Sequence, residues 1–118
     1  MLDIFLEYYP LFLRGLGVTV FVTVISCFSG TILGTFLALG KIYGNKFVSA
    51  LVRLFISIIR GTPLLVQLFI IYYGLPSWGI NMAPITAAII SFIINSGVYQ
   101  AEYLRGSIQS ISGSQLKA

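Results

Sequence analysis

The placement of charge constrains this chain more than any other feature. No Asp, Glu, Lys or Arg lies between Arg14 and Lys41, and none lies between Arg60 and Glu102. A helix needs about 20 largely apolar residues, at about 1.5 Å of rise each, to cross a hydrocarbon core. The first gap holds one such helix and the second holds most of two. In lipid every backbone polar group must be satisfied internally, which only helices and closed barrels achieve. Barrel strands alternate apolar and polar residues over short segments, and these runs do not. The expected fold is therefore all-α and integral to a membrane, with three transmembrane helices in a single domain over residues 1–118. Composition agrees, since 58% of the residues are hydrophobic and 8% are charged, against about 25% charged in a soluble domain.

Residues 1–14 are amphipathic and rich in aromatics, with Tyr8, Tyr9 and Pro10 before Arg14. Such side chains favour the headgroup layer, so this segment is expected to form an interfacial helix or elbow. It opens on Asp3 and Glu7, not on a basic region, and does not read as a secretory signal. Span one is expected over residues 15–40. It carries Ser26, Gly30, Gly34 and Ala38, a small residue at every fourth position and hence along one face. Small side chains let helix backbones approach closely in lipid. Span two is expected over residues 54–75, followed by a turn-rich, uncharged loop with Pro76, Trp78, Gly79 and Asn81, and span three over residues 85–104.

Lys and Arg are one-sided. Lys41, Lys46 and Arg53 follow span one, the loop after span two has none, and Arg105 and Lys117 follow span three. The positive-inside rule then places residues 41–53 and 105–118 in the cytoplasm, with the N-terminus and the Trp78 loop outside. The formal charge of +4 is scattered over span ends and forms no nucleic-acid-binding block. Cys27 has no second cysteine to pair with, there is no His, and neither a metal nor another cofactor is expected.

Two motifs carry more. In Arg60-Gly61-Thr62-Pro63-Leu64-Leu65-Val66-Gln67, Pro63 removes a backbone donor and frees the carbonyl of Ile59, so a kink or break is expected. Gly61 lets the chain bend, and Arg60 and Thr62 can bond to exposed carbonyls. The second motif is Ser96-x-x-Tyr99-x-Ala101-Glu102-x-x-Arg105-Gly106-x-Ile108-x-Ser110-Ile111. On a helix Ser91, Asn95, Tyr99 and Glu102 share one face. That stripe reads as the wall of a polar path or a contact between helices. A local Glu102–Arg105 salt bridge is the plainer alternative.

Together the two motifs resemble the polar-amino-acid permease family of ABC importers, over essentially the whole chain. The resemblance implies a membrane-spanning permease subunit that moves amino acids, paired with a second permease, two ATP-binding ATPase subunits and an extracytoplasmic amino-acid-binding protein. It implies a translocation path or inter-subunit role for Arg60, Gln67, Ser91, Asn95, Ser96, Tyr99 and Glu102, with a helix break at Gly61, Thr62 and Pro63. Ser114, Gln115, Lys117 and Ala118 stand where the family's ATPase-coupling loop begins with Gly-Gln-x-Glu-Ala. Here Ser replaces Gly and Lys reverses the charge of Glu. The expectation is the N-terminal portion of such a permease.

An enzyme is not expected. The acids are Asp3, Glu7 and Glu102, Ser26, Ser29 and Ser91 lack a base, and no G-x-x-x-x-G-K-[ST] phosphate loop is present. The competing reading is a small membrane scaffold or accessory subunit without a path of its own.

Overall fold

The computed structural model describes residues 1–111. They form four helices: α1 (Leu2–Tyr43), α2 (Lys46–Gly61), α3 (Leu64–Phe69) and α4 (Pro84–Ile111). α3 runs on through a wide π turn, Ile70–Gly74, and a 3-10 turn, Leu75–Trp78. α1 and α4 are each long and apolar enough to span a bilayer. The segment expected to form an interfacial helix or elbow is helical and continuous with span one, Pro10 lying inside α1. Pro10 costs α1 one hydrogen bond, to the carbonyl of Leu6, and the turns on either side hold the helix together.

α1 packs on α4 through the small-residue face expected from sequence. Val22, Ser26, Gly30, Gly34 and Ala38 are its buried residues. A Cβ on Gly30 would lie 2.7 Å from Ser96 Oγ, and one on Gly34 would lie 2.7 Å from the Gly97 carbonyl oxygen. Across the seam, Gly97 leaves no room for a Cβ against Leu33. Large apolar side chains, among them Phe28 and Phe36 on the far side of α1, point outward, as suits a lipid solvent in which packing, not hydrophobic exclusion, joins helices.

The register along this seam fixes the topology. Val18 to Thr23 flank Pro84 to Phe92, Gly30 meets Ser96, Gly34 meets Gly97 and Ala101, and Lys41 meets Glu102. Residue numbers rise together on the two helices, so α1 and α4 are parallel. Two parallel spans require a return crossing between them. Residues 44–83 provide it.

That return begins later than the sequence suggests. Gly40 sits beside Val52, Ile56 packs with Ala38, Val98 and Ala101, and Arg60 reaches Tyr99 and Glu102. α2 therefore stays at the level of the last turns of α1 and crosses the end of the helix pair. After Gly61 the chain turns by 105°, and Leu64–Trp78 carries it back, rising about 22 Å at 1.5 Å per residue to bring Leu68, Phe69, Tyr72 and Tyr73 beside Pro84. The expected second span, 54–75, thus shifts toward its C-terminal end. The cause is the polar stripe of Lys46, Ser49, Arg53, Ser57 and Arg60 along one face of α2, which pure hydrocarbon would not solvate.

Candidate functional site

At the end of the helix pair, one carboxylate meets three cations. Lys41 Nζ, in the last turn of α1, donates to Glu102 Oε1 at 2.8 Å. Arg105, one turn along α4, donates to Glu102 Oε2 at 3.0 Å. Arg60, at the end of α2, stands 3.6 Å from the same oxygen, an ion pair beyond hydrogen-bond length. Its guanidinium lies over the Tyr99 ring, 5.6 Å from the centroid, within cation–π range. The Glu102 side chain is only 14% exposed, and an unpaired carboxylate there would carry a heavy desolvation cost. The cluster ties α1, α2 and α4 together and retains a surplus of positive charge.

The break beside it is mended by side chains. Thr62 is extended, φ −113° and ψ 134°, as the residue before a proline prefers. Its hydroxyl donates to the Ile58 carbonyl at 2.7 Å. Gln67, buried on α3, donates from Nε2 to the carbonyls of Ile59 at 2.8 Å and Thr62 at 3.0 Å. The carbonyl that Pro63 frees thus finds both the Gln67 amide and the Thr62 N–H. Gln67 Oε1 is buried with no hydrogen-bond partner among the described residues.

A third group of polar residues lies between α1 and α4. Thr31 donates to Gln100 Oε1, and Gln100 Nε2 donates to Ser96 Oγ at 2.5 Å and, more weakly, to the Cys27 carbonyl at 3.4 Å. Thr31, Thr35, Gln100, Tyr103 and Ser107 line an open groove of about 350 Å³. Nearer the middle of the pair, Ser26, Asn95 and Ser96 border a smaller hollow of about 150 Å³, where Ser26 Oγ is buried without a hydrogen-bond partner among the described residues. Hydroxyls and amides of this kind both donate and accept, so such a lining can solvate a small polar solute.

The structure brings Arg60, Tyr99 and Glu102 into one cluster and puts Gln67 with Gly61, Thr62 and Pro63 at the break. The stripe read from sequence divides: Ser91 is buried and bonds its own helix at the Ala87 carbonyl, Asn95 borders the hollow beside Ser96, and Tyr99 stays exposed. Glu102 pairs locally with Arg105 and, between helices, with Lys41. Ser114, Gln115, Lys117 and Ala118 lie outside the described residues. Sequence reasoning used Lys41 only for orientation and passed over Thr31, Thr35 and Gln100. The Thr31/Thr35 and Ser96/Gln100 pairs, each at i, i+4 within a span, were the available signal.

Residues 30–118 match the family described as binding-protein-dependent transport system inner membrane component. The probable amino-acid ABC transporter permease protein YckA of Bacillus subtilis (strain 168) is 38% identical over 113 residues, covering 96% of this chain and 50% of that protein. The L-cystine transport system permease protein TcyB of the same strain is 36% identical over 112 residues, covering 95% and 48%. The glutamine transport system permease protein GlnP of Escherichia coli (strain K12) is 35% identical over 104 residues, covering 86% and 48%. The chain spans about half the length of these relatives. The crystal structure of an amino acid ABC transporter with histidines superposes with a TM-score of 0.89 at 39% identity, covering 95% of this chain and 52% of that one. From Gly30 onward the sequence fits the family model, and this multi-pass membrane chain belongs to the family of binding-protein-dependent transport system inner membrane components.

Proposed function

We propose that this chain forms part of the membrane-spanning permease of an amino-acid ABC importer. The observation that carries the reading is likeness in both sequence and fold, across nearly the whole chain, to permeases and a solved transporter of amino acids. In this reading a second permease, two ATPase subunits and an extracytoplasmic amino-acid-binding protein complete the machine, and ATP is hydrolysed by the partner. Lys41, Lys46, Arg53, Arg60 and Arg105 gather at one end of the helix pair, which the positive-inside rule assigns to the cytoplasm. The N-terminus and the Trp78 turn then lie outside.

Arg60, Tyr99 and Glu102 sit at the cytoplasmic end of the route and hold its helices in register, while Asn95 and Ser96 belong to its wall or to the contact with the second permease. Gln67 and Ser91 act as packing and capping groups beside them. The test is uptake of labelled amino acids by vesicles containing the permease, its ATPase and its binding protein. ATP-dependent accumulation is expected. Correct incorporation with no ATP-dependent uptake of any amino acid would leave the scaffold reading standing.

A further inference from the structure

We infer that the corner between α1 and α2 is a binding site for the headgroup of an anionic phospholipid. A polar hollow of about 370 Å³ lies there, with Lys41, Lys46, Ser49 and Arg53 in its lining. That volume is within the range of small-ligand sites, roughly 300–1,000 Å³. Ser49 Oγ donates to the Lys41 carbonyl at 2.9 Å and holds the two helices together at its back. Lys41 directs its ammonium to Glu102, whereas Lys46 and Arg53 have no ion-pair partner among the described residues.

The sequence makes this charge an unusual choice. Lys46 opens α2, where the helix dipole favours a negative group, and the first turn contains no acid. A cation there costs stability unless an anion arrives from elsewhere. Basic hollows between membrane helices suit acidic lipid headgroups, and each Lys or Arg adds to the attraction.

The adjoining surface supplies what the rest of a lipid needs. Phe47, Leu51, Leu54 and Ile58 form an exposed apolar stripe, about 100° round α2 from Lys46, Ala50 and Arg53. Tyr43 and Phe47, next in sequence to the lining residues Ile42, Gly44 and Lys46, stand exposed, as interfacial aromatics do. One molecule with an anionic head and an acyl tail satisfies both stripes. Free phosphate satisfies only the first, and an acidic protein surface leaves the apolar stripe uncovered.

The test is retention of phosphatidylglycerol through delipidation, read by native mass spectrometry of the purified protein and by titration in nanodiscs. Wild type should keep phosphatidylglycerol and not phosphatidylcholine. The Lys46→Gln, Arg53→Gln double variant should lose about thirtyfold in apparent affinity, each basic side chain near an anionic surface contributing roughly a fivefold factor. The charge-conserving Lys46→Arg, Arg53→Lys variant should retain the lipid, which separates loss of charge from loss of fold. Equal phosphatidylglycerol retention by wild type and the Gln variant overturns the proposal. So does displacement of the lipid by inorganic phosphate at comparable affinity, which assigns the hollow to a free anion. Loss of lipid on adding a partner subunit, with Lys46 and Arg53 then protected from chemical modification, assigns it to that protein instead.

Discussion

Replacing Gly34 with Ala should weaken the α1–α4 pair, although alanine is the better helix former. The new Cβ would lie 2.7 Å from the Gly97 carbonyl oxygen and 3.0 Å from the Ala101 nitrogen. Both are backbone atoms and cannot rotate away. A carbon normally stands about 3.3 Å or more from a carbonyl oxygen, so the helices must part by roughly 0.6 Å or distort locally. Overpacking of this kind costs about 1–3 kcal/mol, and the Gly-to-Ala gain in helix propensity offsets up to about 1 kcal/mol. A net loss of up to about 2 kcal/mol follows. Gly30 provides a comparable case: the Ser96 hydroxyl at 2.7 Å can rotate only by giving up its bond with Gln100, and the Ser96 Cβ at 2.9 Å cannot rotate away at all. Gly15 provides the control, with nothing within 4 Å, and Gly15→Ala should be neutral or stabilising. Reversible unfolding in mixed micelles, followed by circular dichroism, reads the ranking directly. A Gly34→Ala protein as stable as the Gly15→Ala protein would refute close backbone approach as the basis of this seam.

Three further outcomes follow from the same geometry. Glu102→Gln should destabilise the folded protein by about 2–4 kcal/mol, because it strands Lys41 and Arg105 in a half-buried site; in double-mutant cycles Lys41→Met should couple to it more strongly than Arg60→Met, whose half-exposed contact at 3.6 Å is worth at most about 1 kcal/mol, and equal couplings would contradict the structure. Gln67→Leu should leave two carbonyls at the break without their side-chain donor, costing about 1–3 kcal/mol, and should speed amide hydrogen exchange at Thr62 while leaving α4 unchanged. In a protein lacking Cys27, an impermeant thiol reagent applied from outside should label Ser77→Cys and spare Ser49→Cys, and the opposite pattern would invert the proposed orientation.

What the sequence reveals here is whatever depends on periodicity or on a single residue's backbone chemistry. Ser26, Gly30, Gly34 and Ala38 repeat every fourth residue, and that repeat is the buried face of α1. Pro63 lacks an N–H wherever it stands, and α2 ends two residues before it. By contrast, the Lys41–Glu102 pair depends on α1 and α4 being parallel and in register, and nothing local to either residue encodes that. The course of α2 was equally hidden. Its apolar content suggests the start of a crossing, its basic stripe argues for the end of the bundle, and the contacts of Ile56 with Ala38, Val98 and Ala101 and of Arg60 with Tyr99 and Glu102 decide between them. Gln67 bonds the carbonyls of the break because the 105° turn brings α3 over the end of α2, a contact that no local pattern in the sequence encodes.

Polar side chains within these helices do two different jobs. Thr19, Thr35, Ser91 and Ser107 each donate to the carbonyl four residues earlier, which satisfies the hydroxyl without saying anything about a neighbour. Lys41, Gln67, Gln100 and Glu102 bond across elements, as does Thr31, which also bonds its own helix at the Cys27 carbonyl, and these decide how the helices sit. In lipid an apolar face gains little from choosing one apolar neighbour over another, so packing alone sets register weakly. Here the glycine contacts at positions 30, 34 and 97 lie on one continuous seam with the Thr31–Gln100 and Lys41–Glu102 bonds. A slip of one turn, about 5.4 Å, would drive side chains into Gly30 and Gly34 while breaking both polar contacts. The parallel pair therefore has one favoured register, and that register holds the Glu102 cluster beside the break in the returning segment.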